Sequence, residues 1–221
     1  MNAEHAAASG RALCIGVDAE ADARMLAAVA SERGLTAPVV LLDERATHAA
    51  VRANLDEMAA LSEPGDLFLL TFSGHGGRTR LRARASEPQA VRLWQLYDGS
   101  LNDEQLKSDL GRFRRGVRVL VVSDNCGGGV PSLQPGQLTS SLSASVLVLA
   151  ACQDGRYADG SGLPGHFADA LRRTLNGGAF GGAYPQFHEA LCSRMPDYQR
   201  PDYYRVGVFD AAFEAQQPFT I

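Results

Sequence analysis

Leu67-Phe68-Leu69-Leu70-Thr71-Phe72-Ser73-Gly74-His75-Gly76-Gly77 starts as a nearly unbroken apolar run and ends in glycines around a histidine. Apolar, β-forming residues without polar alternation predict a strand covered on both faces, as in a parallel sheet. The polar residues cluster where that strand would stop, and ligands bind at the carboxyl ends of strands in open α/β sheets. The chain on either side repeats the pattern. Upstream, Ala12–Val17 reads as a strand that stops at Asp18. From Ala21 to Arg33, Met25, Leu26, Val29 and Ala30 fall at helical spacing, with Gly34 placed to end the helix. Pro38–Leu42 predicts a second strand, and Thr47 an N-cap for a helix carrying Val51, Leu55, Met58 and Ala59 on one face. Pro64-Gly65 ends that unit.

Downstream, an arginine-rich stretch and Leu93–Tyr97 precede a helical segment from Asn102 to Phe113, with Leu106, Leu110 and Phe113 on one side. Val117–Val122 predicts another buried strand, running into Ser123-Asp124-Asn125-Cys126-Gly127-Gly128-Gly129. A Gly/Ser/Pro/Gln-rich segment follows to about Ser145. Val146–Ala150 is the next strand, and it too ends in polar residues, Cys152-Gln153-Asp154. Helices near His166–Leu175 and Gln186–Met195 and a strand near Tyr204–Phe209 complete the pattern. Strands alternating with helices predict an α/β fold with helices on both faces of a mostly parallel, roughly six-stranded sheet. With no repeat or low-complexity linker to divide the chain, residues 1–10 form a short extension and 11–221 one domain.

Composition narrows the function. The chain has 221 residues and a net charge of −4, with a pI near 5.7, so no global positive field exists to hold nucleic acid or an anionic membrane. Twenty of its 21 basic side chains are arginine, the exception being Lys107. Its four cysteines, Cys14, Cys126, Cys152 and Cys192, show no paired spacing, which favours free thiols and a reducing, cytoplasmic setting. The first residues lack a basic region followed by an apolar one, and the apolar runs are strand-sized, so neither export nor membrane insertion is expected.

His75 follows one buried strand and Cys126 follows another, 51 residues later. A histidine beside a thiol can act as the base that generates thiolate and then as the acid for the leaving amine. Taken alone, a histidine and a cysteine are more often structural, but placement at strand ends in glycine-rich turns reverses those odds. Gly74, Gly76 and Gly77 let the main chain approach a substrate, and a backbone N–H after the histidine can join the N–H of Cys126 in binding an oxyanion.

The ordered segments Pro64-Gly65-Asp66-Leu67-Phe68, Ser73-Gly74-His75-Gly76, Ser123-Asp124-Asn125-Cys126, Ala150-Ala151-Cys152-Gln153-Asp154 and Ala158-Asp159 resemble the caspase-fold peptidases of family C14, specifically their bacterial metacaspase branch. The likeness extends to Ile15-Gly16, Asp22-Ala23, Leu42-Asp43, Ala46-Thr47, Tyr97-Asp98, Asp103-Glu104 and Gln199-Arg200-Pro201-Asp202-Tyr203-Tyr204. It implies a caspase-like α/β/α sandwich and a cysteine endopeptidase in which Cys126 attacks the scissile carbonyl and His75 moves the proton. The N–H groups of Gly76 and Cys126 would hold the oxyanion. It also implies cleavage after basic residues, arginine over lysine, with Asp22, Ser73 and Asp124 at the matching pocket positions. Paired carboxylates suit the five donors of a guanidinium. Asp22 as an acid complementing a helix dipole is the plainer alternative. Asp154 and Asp159 fit a pocket rim or a turn equally well. Cys14, Cys152 and Cys192 read as packing residues, His166 and His188 as surface or packing residues, and His5 and His48 have no chemical context.

The chain departs from the metacaspase pattern in two places. Gly127-Gly128-Gly129 replaces the usual His-Ser-Gly after the nucleophile. Where many metacaspases carry an aspartate-rich, calcium-binding loop, this chain has Arg78-Thr79-Arg80-Leu81-Arg82-Ala83-Arg84. Such a loop opposes a hard cation, so no metal or other cofactor is expected and activity should be independent of calcium. Read as a flexible basic loop, 78–84 would also offer arginines for self-cleavage, against the plainer reading of a solvated face. The resemblance further implies a monomer acting on protein or peptide substrates. The rivals are a silent or regulatory caspase-like binding module and a caspase-fold peptidase of non-basic specificity.

Overall fold

A computed structural model describes residues 7–81, 89–125, 142–151 and 166–221. Five parallel strands, β1 (Gly10–Gly16), β2 (Thr36–Leu42), β3 (Leu67–Gly74), β7 (Arg118–Asn125) and β8 (Ser145–Ala150), form the central sheet, and β9 (Asp202–Gly207) adds an antiparallel edge. The strand order is β2-β1-β3-β7-β8-β9. After β2 the chain returns past β1 to β3, so the connections change direction between β1 and β3, where such sheets open a crevice. This is the mostly parallel, six-stranded α/β/α sandwich that the sequence predicts.

Helices cover both faces. On one lie α2 (His48–Leu61) and α3 (Asp103–Leu110); on the other lie α1 (Glu20–Glu32), α4 (His166–Leu175) and α5 (Tyr184–Cys192). The short α6 (Ala211–Ala215) brings Phe213 into the second core. Local chemistry explains the helix ends. Thr47 Oγ1 accepts the N–H of Ala50 at 3.2 Å, capping α2, and Asn102 and Gln105 form a reciprocal capping box on α3. Gly34, at φ +88°, closes α1: its N–H donates to Ser31 O at 3.1 Å while that of Leu35 donates to Ala30 O at 3.0 Å. Buried Leu35 completes this Schellman ending. The α2 stripe of Val51, Leu55, Met58 and Ala59 is buried as its spacing predicts. A fully buried leucine such as Leu55 contributes about 1.5–3 kcal/mol.

Three differences from the sequence reading matter. A second sheet, order β4-β5-β6, is built from β4 (Gly76–Leu81), β5 (Gln89–Leu96) and β6 (Gly99–Asn102). Arg78 to Leu81 are therefore not loop but an antiparallel strand, with Arg78 opposite Arg92 and Arg80 opposite Ala90. The alternation of arginine with Thr79 and Leu81 is the two-residue period of a strand, outweighing the loop-like charge. Residues 82–84 lie outside the described residues. The second sheet anchors to the first through Trp94, which stacks on Phe72 with ring centroids 4.7 Å apart. Third, α5 ends at Cys192, not Met195, and β9 ends at Gly207, so Phe209 is exposed rather than paired.

Candidate active site

The polar ends of β3 and β7 lie side by side. The ladder pairs Ser73 with Asp124 and closes with Gly74 opposite Asn125; on its other side Ser73 pairs with Gly16 of β1. Gly74 needs to be glycine: its φ is +152°, and a Cβ there would sit 2.6 Å from the Val17 carbonyl. The chain then leaves the main sheet. His75 is exposed between β3 and β4, and its carbonyl accepts the N–H of Gln95 at 2.9 Å. Gly76 opens β4 opposite Trp94.

Below this rung two oxygens lack donors among the described residues. Ser73 is 1% exposed, and neither its Oγ nor the sealed Oδ2 of Asp124 has a hydrogen-bond partner among the described residues. Burial drives the Asp124 carboxyl up to about 7; the negative charge of Asp22 adds to this, and a hydrogen bond from the Ala168 N–H opposes it. Asp22, in the first turn of α1 and partly buried, is itself raised by burial. Asp22 thus stands near enough for its charge to act on Asp124. Keeping two carboxylates charged there requires a cation. Asp22 also lines a cleft of about 830 Å³ that runs between α1, α4 and Ser193–Pro196.

The structure thus sets Ser73 and Asp124 on one rung, with the charge of Asp22 acting on Asp124, and the chain continues into His75 and Gly76 just beyond that rung. Cys126 follows Asn125 in the sequence but lies, like Cys152, Asp154 and Asp159, outside the described residues. A supporting network had escaped sequence reasoning: Trp94 Nε1 donates to Ser123 Oγ at 3.0 Å, and Asn125 Nδ2 donates to the same oxygen at 3.2 Å. The second sheet thereby grips the end of β7 directly before position 126. The only signal was Ser123 itself, a polar residue closing an apolar strand. Cys14 packs in the sheet as expected, its thiol pushed up to about 11 by burial. Cys192, read as core, is instead partly exposed and lies beside His188, because a helix turns about 100° between Leu191 and its neighbour.

Residues 16–213 match the family model described as the caspase domain of peptidase C14. Among solved structures, the crystal structure of protein GSU0716 from Geobacter sulfurreducens is similar, with a TM-score of 0.86 and 31% sequence identity over 96% of this chain and 99% of that one. No curated protein sequence matches the chain.

Proposed function

Because this chain belongs to the caspase domain family of cysteine peptidases, we propose that it is a metacaspase-type endopeptidase cutting peptide bonds after arginine, and less readily after lysine. The observation that carries this reading is the pair of sealed oxygens on one rung, Ser73 Oγ and Asp124 Oδ2, that have no hydrogen-bond partner among the described residues, with the charge of Asp22 acting on Asp124. A substrate guanidinium supplies both the missing donors and the missing positive charge. Charge-assisted bonds of this kind are worth about 1.5–3 kcal/mol each.

The catalytic steps follow from placement at the strand ends. Cys126 attacks the carbonyl of the bound arginine, His75 takes the thiol proton and returns it to the leaving amine of the next residue, and the N–H groups of Gly76 and Cys126 receive the oxyanion. Gly74 gives His75 its exit from β3, and the Trp94–Ser123–Asn125 network steadies the end of β7. Asp154 is proposed as a rim of the same pocket. Water completes the hydrolysis, and no cofactor is needed. The segment after His75 does not fit a calcium site, since Gly76–Leu81 carries two arginines and no carboxylate, so activity is expected without calcium. Self-cleavage narrows to Arg82 and Arg84, because the main chain through Leu81 is committed to β4.

A free nucleophilic thiol suits a reducing cytoplasm, and we propose a monomer there acting on proteins or peptides, not on nucleic acid or membrane. No helix among the described residues is long and apolar enough to cross a membrane. Fluorogenic peptides ending in Arg, Lys, Asp or Leu, incubated with wild type and Cys126→Ala, test the proposal. Turnover after Arg that exceeds Lys and vanishes in Cys126→Ala is expected. Turnover after Asp or Leu but not Arg overturns the pocket assignment, and none on any peptide, with or without calcium, favours a binding module.

A further inference from the structure

A second histidine and cysteine meet far along the chain from the strand-end pocket, where α5 gives way to β9. His188 and Cys192 stand one turn apart on α5, with Cys192 Sγ 3.3 Å from His188 Nε2. The carbonyl of Pro201, the residue before β9, lies 3.1 Å from the same nitrogen and 4.0 Å from the sulfur. A carbonyl only accepts, so with no ion bound Nε2 donates its hydrogen to Pro201 O. The imidazole is further held by stacking on Tyr203, ring centroids 5.7 Å apart.

These three atoms approximate one face of a metal tetrahedron. Metal–sulfur and metal–nitrogen bonds of about 2.3 and 2.0–2.1 Å at tetrahedral angles separate neighbouring ligand atoms by about 3.3–3.7 Å, so closing this triangle takes shifts of a few tenths of an ångström. It opens onto a cleft of about 560 Å³ whose lining includes Glu189, Asp197 and Arg200. Arg200, which is exposed, bonds to the sulfur, and a bound cation would have to displace it. No third His, Cys, Asp or Glu side chain among the described residues joins the pair, so the third protein ligand is the Pro201 carbonyl and the cleft side is left to water. Thiolate with imidazole selects zinc-like ions over calcium or magnesium. We propose that His188, Cys192 and the Pro201 carbonyl form a binding site for a thiophilic divalent cation of the zinc class, which pins the end of α5 to the start of β9.

Cobalt titration of the full chain carrying Cys126→Ala tests this with the proposed nucleophile removed. One equivalent should produce a thiolate-to-cobalt charge-transfer band and raise the unfolding temperature. Adding Cys192→Ser should abolish the band, and adding His188→Gln should weaken binding at least about tenfold. Absence of the band up to millimolar cobalt overturns the site, as does its survival in the Cys192→Ser protein. Zinc protection of Cys192 from alkylation, read by peptide mass spectrometry in the Cys126→Ala protein, asks the same question without altering α5; alkylation unchanged by zinc also overturns the site.

Discussion

Asp66, a buried carboxylate, and Asp124, half-buried with one sealed oxygen, lie at opposite ends of one sheet, and they are treated in opposite ways. Asp66, just before β3, accepts the N–H groups of Ser9 at 2.7 Å and Glu63 at 3.0 Å, and Arg11 at 3.0 Å. Burial alone would raise its pKa, but the bonds from Glu63, Ser9 and Arg11 together bring it below the ordinary value. Asp124, one residue from the carboxyl end of β7, keeps a sealed oxygen with no donor among the described residues and is driven up to about 7. Among the described residues the first carboxylate finds donors for both its oxygens, and the second does not. A carboxylate that needs a ligand to be comfortable is one built for binding, whereas a self-sufficient one is built for stability.

Replacing each tests that contrast. Asp124→Asn is expected to lower kcat/KM for arginine substrates by about a thousandfold, from loss of a buried charge pair worth roughly 3–5 kcal/mol, with unfolding stability at neutral pH unchanged or higher. Asp66→Asn is expected to cost about 2–4 kcal/mol of stability, measured by urea unfolding, while turnover per folded molecule stays the same. The comparison breaks if Asp124→Asn unfolds the protein as readily as Asp66→Asn. Its bond to the Ala168 N–H would then make Asp124 a cap for α4 and nothing more.

The pH dependence should run in opposite directions. Asp124 binds its proton more tightly folded than unfolded, so its contribution to the stability of the substrate-free protein falls as pH rises from about 4, the ordinary carboxylate value, to about 7. Asp66 binds its proton less tightly when folded, so its contribution is full above about 4 and lost as pH drops through its depressed folded pKa. Thermal unfolding from acid to neutral pH should therefore show the acid-side loss reduced by Asp66→Asn and the decline toward neutral reduced by Asp124→Asn. Identical profiles for the two variants would remove the distinction.

How far the sequence carried depends on the range of the interactions. The central strands and helix ends were legible because their causes are local: the apolar run from Leu67, the Gly34 turn, the Thr47 cap. Ser73 and Asp124 were legible as polar residues closing buried strands, but their place at one pocket came from the resemblance, and their pairing on one rung joins two strands far apart in the chain. The second sheet was not. Its buried anchors, Trp94, Leu96 and Leu101, are spread over short strands, and the arginines on β4 masked a two-residue period that was present. Trp94 reaching Ser123 and Pro201 reaching His188 are long-range pairings that no window of sequence displays.

Asp22 offers the finest test, because it acts on the pocket through its charge. Its contribution to the raised Asp124 pKa is second to burial, so Asp22→Asn should leave Asp124 elevated but ionising at lower pH. The acid limb of kcat/KM for arginine peptides should move to lower pH accordingly. At pH 8, where Asp124 is ionised in either protein, the variant still loses one partner of the guanidinium, and an increase in KM of about tenfold with kcat little changed is expected, matching one charge-assisted bond. A helix-dipole acid behaves differently: at the N-terminus of α1 it would be worth about 0.3–1 kcal/mol of stability and would move neither KM nor the acid limb. If Asp22→Asn lowers the unfolding temperature and leaves both kinetic measures unchanged, Asp22 belongs with Asp66 rather than with Asp124.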